Sequence, residues 1–439
     1  YETRYSLRPF LRRVVILVLV IGGVLSVMVY LAAEPLGRFL FTTLDRSQET
    51  VSGGTSAGLT RLVACTTFAL IIYFLLLSIL KGLRMFRAVS LMELVNNIVF
   101  TLLAVVGALS GFKNAKAIVG CYCLTLVTVI ILFAIPLLSV IRGAENQLKP
   151  IGKTAGNAGK KSIIEQMLQF SVWAAFAAVM WQTLQYYPMW YLQKVHGLEV
   201  TGVFGGIRLI TQAVLIGAVA IVTVVQTSVT KTWEARGRNE ADRQLLVAYK
   251  STALLLVIGC AVLAALARIV IRLFPPEFAI GVDIMPLLLM FFLIGGHLAF
   301  LAIHFRLIEK TRYMFWPWAI GVASSVGLGK FMIQPGLEPQ AALTAAAWSG
   351  VLGITAALVG CFILIIGERR PLGAGACVLL GSTYAIALPI YLLVPTVLVL
   401  MILAWFTNIV FDNDEKQWLR HYASEGRDTI RRIFSATSS

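Results

Sequence analysis

Apolar stretches long enough to cross a membrane leave little room for polar side chains, so the few that this sequence places inside them are its candidates for chemistry. A charged group at the centre of a bilayer costs roughly 2.5–3.5 kcal/mol, and such a group faces protein or a wet cavity. Arg208 lies about a turn inside one apolar stretch, and Gln212 follows one turn later on the same face. A guanidinium so placed suits a phosphate or a sugar as a fixed cation. The alternative is a side chain snorkelling to the outer head groups. Gln182 and Gln185 stand three apart in the preceding stretch, ahead of Tyr186, Tyr187 and Trp190. Gln182, Gln185 and Tyr186 could line a sugar path by hydrogen bonding and stacking, whereas Trp190 reads as an interfacial belt residue that needs no ligand.

A second group has the types needed for ion coupling. Glu93 and Asn97 stand four apart on one stripe, with Asn96 between them. They read either as a proton- or cation-coupling site or, more ordinarily, as helix-to-helix hydrogen bonds. His297 falls mid-stretch and His304 near the inner end of the same stretch, where satisfied packing competes with a proton relay. A coupling proton or sodium ion is the only ion these groups suggest; neither a metal site nor a cofactor is expected. The sequence has no P-loop, no H-E-x-x-H and no G-x-S-x-G, so an enzyme is not expected. The C-x-C of Cys121 and Cys123 puts its thiols about 200° apart on a helix, which does not suit a shared metal.

The elements that must carry these residues follow from composition. Of the 439 residues 59% are hydrophobic and 13% charged, and the mean hydropathy is +0.85. Too few polar side chains remain to cover a soluble globule. In hydrocarbon every backbone N–H and C=O must be satisfied internally, and Leu-, Val- and Ile-rich runs of about 20 residues satisfy them as helices. The fold class is therefore all-α. Twelve spans are predicted, at 14–33, 62–80, 89–110, 117–141, 168–192, 203–228, 251–271, 285–305, 314–333, 341–366, 373–390 and 392–411. The last two form one apolar run from Leu372 to Phe406, broken at Pro389 and Pro395 by a tight hairpin.

The net charge of +16 raises the question of nucleic acid. With alternate loops taken as cytoplasmic, 27 of the 37 Lys and Arg residues lie on that side and nine on the other. This positive-inside bias sets both termini in the cytoplasm of an inner-membrane, multi-pass protein. The cations thus face anionic lipid head groups and not nucleic acid.

The chain divides into an N-terminal lobe of four helices at 1–141, a Gly- and Lys-rich cytoplasmic linker at 142–165, a six-helix lobe at 166–366 and two extra helices at 367–411. A cytoplasmic amphipathic tail follows at 412–439. A weak repeat pairs LGRFLF at 36–41 with RLFPPEF at 272–278, and LKGLRMFR at 80–87 with RLIEKTRYMF at 306–315. If the seventh span matches the first, the fifth and sixth have no counterpart, and about 70 residues holding two helices would precede Tyr1.

Two lobes, a basic inner linker, the LKGLRMFR turn and TGVFGGIRLITQAV at 201–214 together resemble the polysaccharide flippases of the multidrug/oligosaccharidyl-lipid/polysaccharide (MOP) exporter superfamily. Gly202, Phe204 and the run Gly205 to Leu209 look like that family's loop entering its eighth helix, and the inner loop with Trp233 and Gly237 looks like it as well. One departure is the run Gln185-Tyr186-Tyr187-Pro188-Met189-Trp190, which stands where the family often has an acidic residue. The resemblance implies a flippase that translocates lipid-linked oligosaccharide, a precursor of surface polysaccharide, by alternating access. Membrane lipids and polysaccharide assembly proteins are its implied partners. A major-facilitator transporter of a small solute is the first rival; it predicts a long inner loop at Lys231 to Lys250. A membrane polysaccharide polymerase or ligase is the second, and it needs a catalytic outer loop that Glu34 to Thr60 poorly supplies.

Overall fold

The computed structural model of the chain describes residues 7–41, 53–83, 85–111, 114–147, 163–368, 373–417 and 419–420, and the regular structure among them is all helical. Eight of its helices are long and apolar enough to cross a membrane. The all-α, polytopic membrane architecture read from the sequence is what the chain adopts. It separates into two units, Tyr1–Ala158 and Gly159–Ser439.

The first unit holds α1 (Leu7–Leu31), α2 (Ala33–Phe41), α3 (Gly53–Gly82), α4 (Phe86–Leu109) and α5 (Ala115–Gln147). Its small core joins Tyr73, Leu77 and Leu80 of α3 to Met92 of α4 and Leu126 and Val129 of α5. Outside that core large apolar side chains stay exposed, as a lipid-facing surface requires. Threonines inside the spans return their hydroxyls to the carbonyl four residues back, as Thr66 and Thr125 do at 2.8 Å. These hydroxyls thus carry no polar demand into the bilayer.

The stretch expected as an outer loop at Glu34 to Thr60 is partly helical. α2 continues almost directly from α1, and α3 begins nine residues earlier than the span at 62–80. Hydropathy missed both because small and polar residues extend these helices beyond the apolar run. Of the linker at 142–165, residues 148–162 lie outside the described residues, and the flanking parts belong to helices.

In the second unit α6 (Ile163–Arg236) holds two predicted spans, broken at Gly197 with φ +82. That left-handed conformation suits glycine, and Thr201 Oγ1 caps the break by donating to the Gly197 carbonyl at 2.8 Å. α7 (Arg238–Ala265) starts immediately after Gly237, whose φ is +87. The long inner loop that the major-facilitator reading requires at Lys231 to Lys250 is therefore absent: the segment is a helical hairpin with a one-residue joint. Its polar composition looked like a loop because an amphipathic helix outside the membrane carries no hydropathy signal.

α8 (Ala267–Ile271) and a 3-10 stretch, Pro276–Ile284, lead into α9 (Met285–Leu307). α9 is apolar on all sides and almost wholly buried, the signature of a central helix. It packs against α6, α7 and α11 (Pro339–Gly367), while α10 (Arg312–Met332) lies along α6 and α11. Small residues bring α10 and α11 together: a Cβ on Gly321 or on Gly353 would stand 2.9 Å from the other's carbonyl oxygen. Such stripes are how helices approach in lipid, where packing replaces the hydrophobic effect.

The final apolar run forms α12 (Gly373–Ser382) with a 3-10 stretch, Thr383–Ala387, and then α13 (Ile390–Phe406). The break falls at Pro389, as expected. Pro395 does not break the chain but sits inside α13, where its missing N–H leaves one carbonyl of the preceding turn without a partner. Each of the two rises roughly 25 Å, short of the ~30 Å hydrocarbon core. Of the amphipathic tail expected at 412–439, residue 418 and everything beyond 420 lie outside the described residues.

Candidate functional site

Three of the sequence candidates meet at one place in the second unit. Arg208, on the second arm of α6, is only 6% exposed. Its Nη2 donates to Gln185 Oε1 at 3.0 Å on the first arm of the same helix. The guanidinium stacks over the Tyr186 ring at 4.1 Å and approaches the Phe292 ring of α9 at 5.9 Å. Its Nε is buried without a hydrogen-bond partner. No carboxylate pairs with it among the described residues.

The Gly197 break makes this meeting possible, since it folds the two arms of α6 side by side and brings position 208 against 185. Gly206 and Gly281 allow the 3-10 stretch after α8 to lie against the second arm, because a Cβ at either would overlap Phe278 or Ile207. Burial of a guanidinium is expensive unless it is well satisfied. Here an amide oxygen and an aromatic face supply part of that satisfaction, and the buried Nε–H remains open. An oxyanion is the complement such a group lacks.

The remaining candidates are placed differently. Gln212 is half-buried and Gln182 is exposed, and neither hydrogen-bonds another described residue. Glu93 is exposed and pairs with Lys81 at 3.7 Å in the first unit. Asn97 is exposed as well, and its backbone carbonyl accepts from Thr101 Oγ1. The buried polar residue of that stripe is Asn96, whose Oδ1 has no partner.

His297 is 1% exposed. Its Nε2 lies 2.9 Å from Thr383 Oγ1, and its ring packs edge-on to Tyr249 at 5.6 Å. Thr383 was not anticipated, since it lies 86 residues on in an otherwise apolar run.

A second polar centre escaped sequence reasoning entirely. Lys250 of α7 and Glu415, beyond α13, are both buried, and the Lys250 Nζ donates to both carboxylate oxygens at 2.8 Å. Asp412 and Glu415 cap each other reciprocally: each backbone N–H reaches the other's carboxylate, at 2.9 and 2.7 Å. This D-x-x-E is a capping box, legible in the sequence had it been sought there. At the same end, Lys310 Nζ donates to Glu368 Oε1 at 2.6 Å. That bond holds the Glu368 carboxyl below the usual carboxylate range, against a smaller opposing effect of burial.

No family model matches the chain, and no curated protein matches it. Solved structures do share its fold. A MATE in the straight conformation is 12% identical, with a TM-score of 0.58 over 80% of this chain and 78% of that one. A multidrug resistance MATE family transporter of the MOP superfamily, in an outward-facing conformation, is 14% identical, with a TM-score of 0.60 over the same shares. A MOP superfamily transporter from Pyrococcus furiosus Vc1, described as having a binding pocket of reverse polarity that suggests a different function, is 14% identical with a TM-score of 0.59, again over 80% and 78%. At these identities the likeness is one of fold, and the fold is one that transporters use.

Proposed function

We propose that the chain is a MOP-superfamily exporter of the inner membrane that translocates lipid-linked oligosaccharide by alternating access. The observation that carries this reading is Arg208, a buried guanidinium in a membrane-spanning helix whose Nε–H has no partner and which has no carboxylate beside it among the described residues. A pyrophosphate head group supplies the missing oxyanion, while a lipid tail stays in the bilayer and needs no site. Tyr186, half exposed over the guanidinium, offers a ring on which a sugar stacks. The fold shared with MATE structures supports transport, and transport by this route needs head-group affinity that differs between the two access states. A coupling proton or sodium ion gives direction, and polysaccharide assembly proteins are the natural suppliers and receivers of the cargo.

A drug-like molecule is the competing cargo, since one similar structure is a multidrug resistance transporter. A fixed Arg208 opposes a cationic ligand. The Pyrococcus protein, in which reverse pocket polarity suggests a different function, argues that a common fold leaves substrate charge open.

Reconstitution into liposomes tests the reading. Fluorescent lipid-linked oligosaccharide should gain access to the far leaflet faster than in empty vesicles, and an Arg208→Ala protein should not support this. Translocation no faster than in empty vesicles, with export of a drug-like molecule instead, would overturn the proposed substrate.

A further inference from the structure

The end of the second unit where α6 turns into α7 encloses a cavity of about 680 Å³. That volume suits a small ligand or a lipid head group. Its apolar walls come from Leu245 and Leu246 of α7, Phe300 and Leu301 of α9 and Ile365 of α11. Two neutral polar groups line it without any hydrogen-bond partner: the Tyr249 hydroxyl and His304 Nε2. The two residues are 3% and 6% exposed, so neither group is satisfied by bulk water. Buried polar groups left open in this way mark a place where something polar belongs.

Charges of both signs stand around these two groups. Arg238 and Arg243 contribute cations from α7, and each is only loosely held: Arg238 Nε is 3.9 Å from Asp242 and Arg243 Nη2 is 3.5 Å from Asp414. Both guanidinium groups are half exposed and keep donors to spare. Glu368 and Asp242 present the opposite sign, with Lys310 bonded to one oxygen of Glu368 and Arg238 facing Asp242, while Asp412 and Glu415 are committed to their capping box. A pure anion would meet the carboxylates, and a pure cation would meet the arginines. An apolar wall beside paired opposite charges suits an amphiphile whose head carries both.

We propose that this cavity binds a zwitterionic phosphate of the phosphoethanolamine type. The phosphate oxygens accept from the Tyr249 hydroxyl, from His304 in its Nε2–H tautomer and from the arginines at the mouth, and the ammonium faces Glu368. The apolar wall takes the part of a lipid next to its head group. The head group has two sources, a membrane phospholipid or a soluble phosphoethanolamine, and the chemistry of the site is the same for both. This binding stands apart from the cargo assigned to Arg208.

Delipidated full-length protein in detergent, titrated and read by native mass spectrometry, tests it. Dihexanoyl phosphatidylethanolamine should bind with one-to-one saturation, and dihexanoyl phosphatidylglycerol about tenfold more weakly, the difference made by one charge-assisted contact. Tyr249→Phe and His304→Gln remove contacts to the phosphate that both lipids carry, so each should weaken both lipids about tenfold. Should either variant fail to remain monodisperse, Arg238→Gln at the exposed mouth carries the same expectation. Equal binding of the two lipids, or wild-type binding by the folded variants, would overturn the proposal. Free phosphoethanolamine binding as tightly as the lipid assigns the site to a soluble ligand; binding of the lipid alone assigns it to the membrane. Because the readout is binding, failure here is distinct from failure of the transport reading.

Discussion

Lys250 and Glu415 lie 165 residues apart and meet as a buried ion pair in which one ammonium contacts both oxygens of one carboxylate at 2.8 Å. The pair fastens the segment after α13 to α7. A buried charge that loses its partner is left without solvent, so Glu415→Ala should destabilise the protein by about 3–5 kcal/mol. Replacing both residues, as Lys250→Met with Glu415→Leu, should lose much less. Urea unfolding in detergent measures both; equal losses in the single and double variants would show that the pair does not act as a unit.

Arg208→Lys tests the arrangement at the candidate site beyond mere charge. Lysine keeps the cation but loses the planar stacking on Tyr186 and the fork that reaches Gln185. Transport of lipid-linked oligosaccharide by Arg208→Lys should fall about tenfold, the scale of one lost charge-assisted hydrogen bond. Gln185→Leu, which leaves a further guanidinium N–H open, should weaken head-group affinity less. Initial rates in proteoliposomes, normalised to inserted protein, decide the order.

His297 separates a packing role from a coupling one. Thr383→Val removes the partner of a buried imidazole nitrogen and should cost about 1–3 kcal/mol in stability. If His297 serves packing alone, His297→Asn will leave the pH dependence of transport unchanged while lowering stability. A displaced pH profile would make it a coupling residue.

Glu368 carries the pH prediction. Its carboxyl is held low in the folded protein by Lys310, so this contact adds stability above the unfolded carboxylate value of about 4.3. The contribution disappears as pH falls through the lower, folded value. Unfolding midpoints of wild type and Glu368→Gln should therefore differ by a constant amount from pH 6 to 8 and converge in acid. A gap that instead widens below pH 4.3 would contradict the direction of the shift.

Much of this was legible in the chain because hydrocarbon is a demanding solvent. Runs of Leu, Val and Ile fall in each of the eight helices that are long and apolar enough to cross a membrane among the described residues, and the scarcity of polar residues inside such runs singled out Arg208, Gln185 and Tyr186. What composition could not supply was register. Gln182 and Gln185 look alike in the sequence, but only the residue turned toward the second arm of α6 is buried. Glu93 looked like a coupling carboxylate, yet Lys81 stands across the turn from it. Hydropathy was also silent outside the bilayer, where Arg238 to Gln244 continue a helix with no apolar signal.

The joint at Gly237 links these observations mechanically. One left-handed residue connects the arm that carries Arg208 to the helix that carries Lys250, leaving no slack for either to slide independently. The joint fixes how far the two helix ends can part, while glycine leaves each helix free to tilt about it.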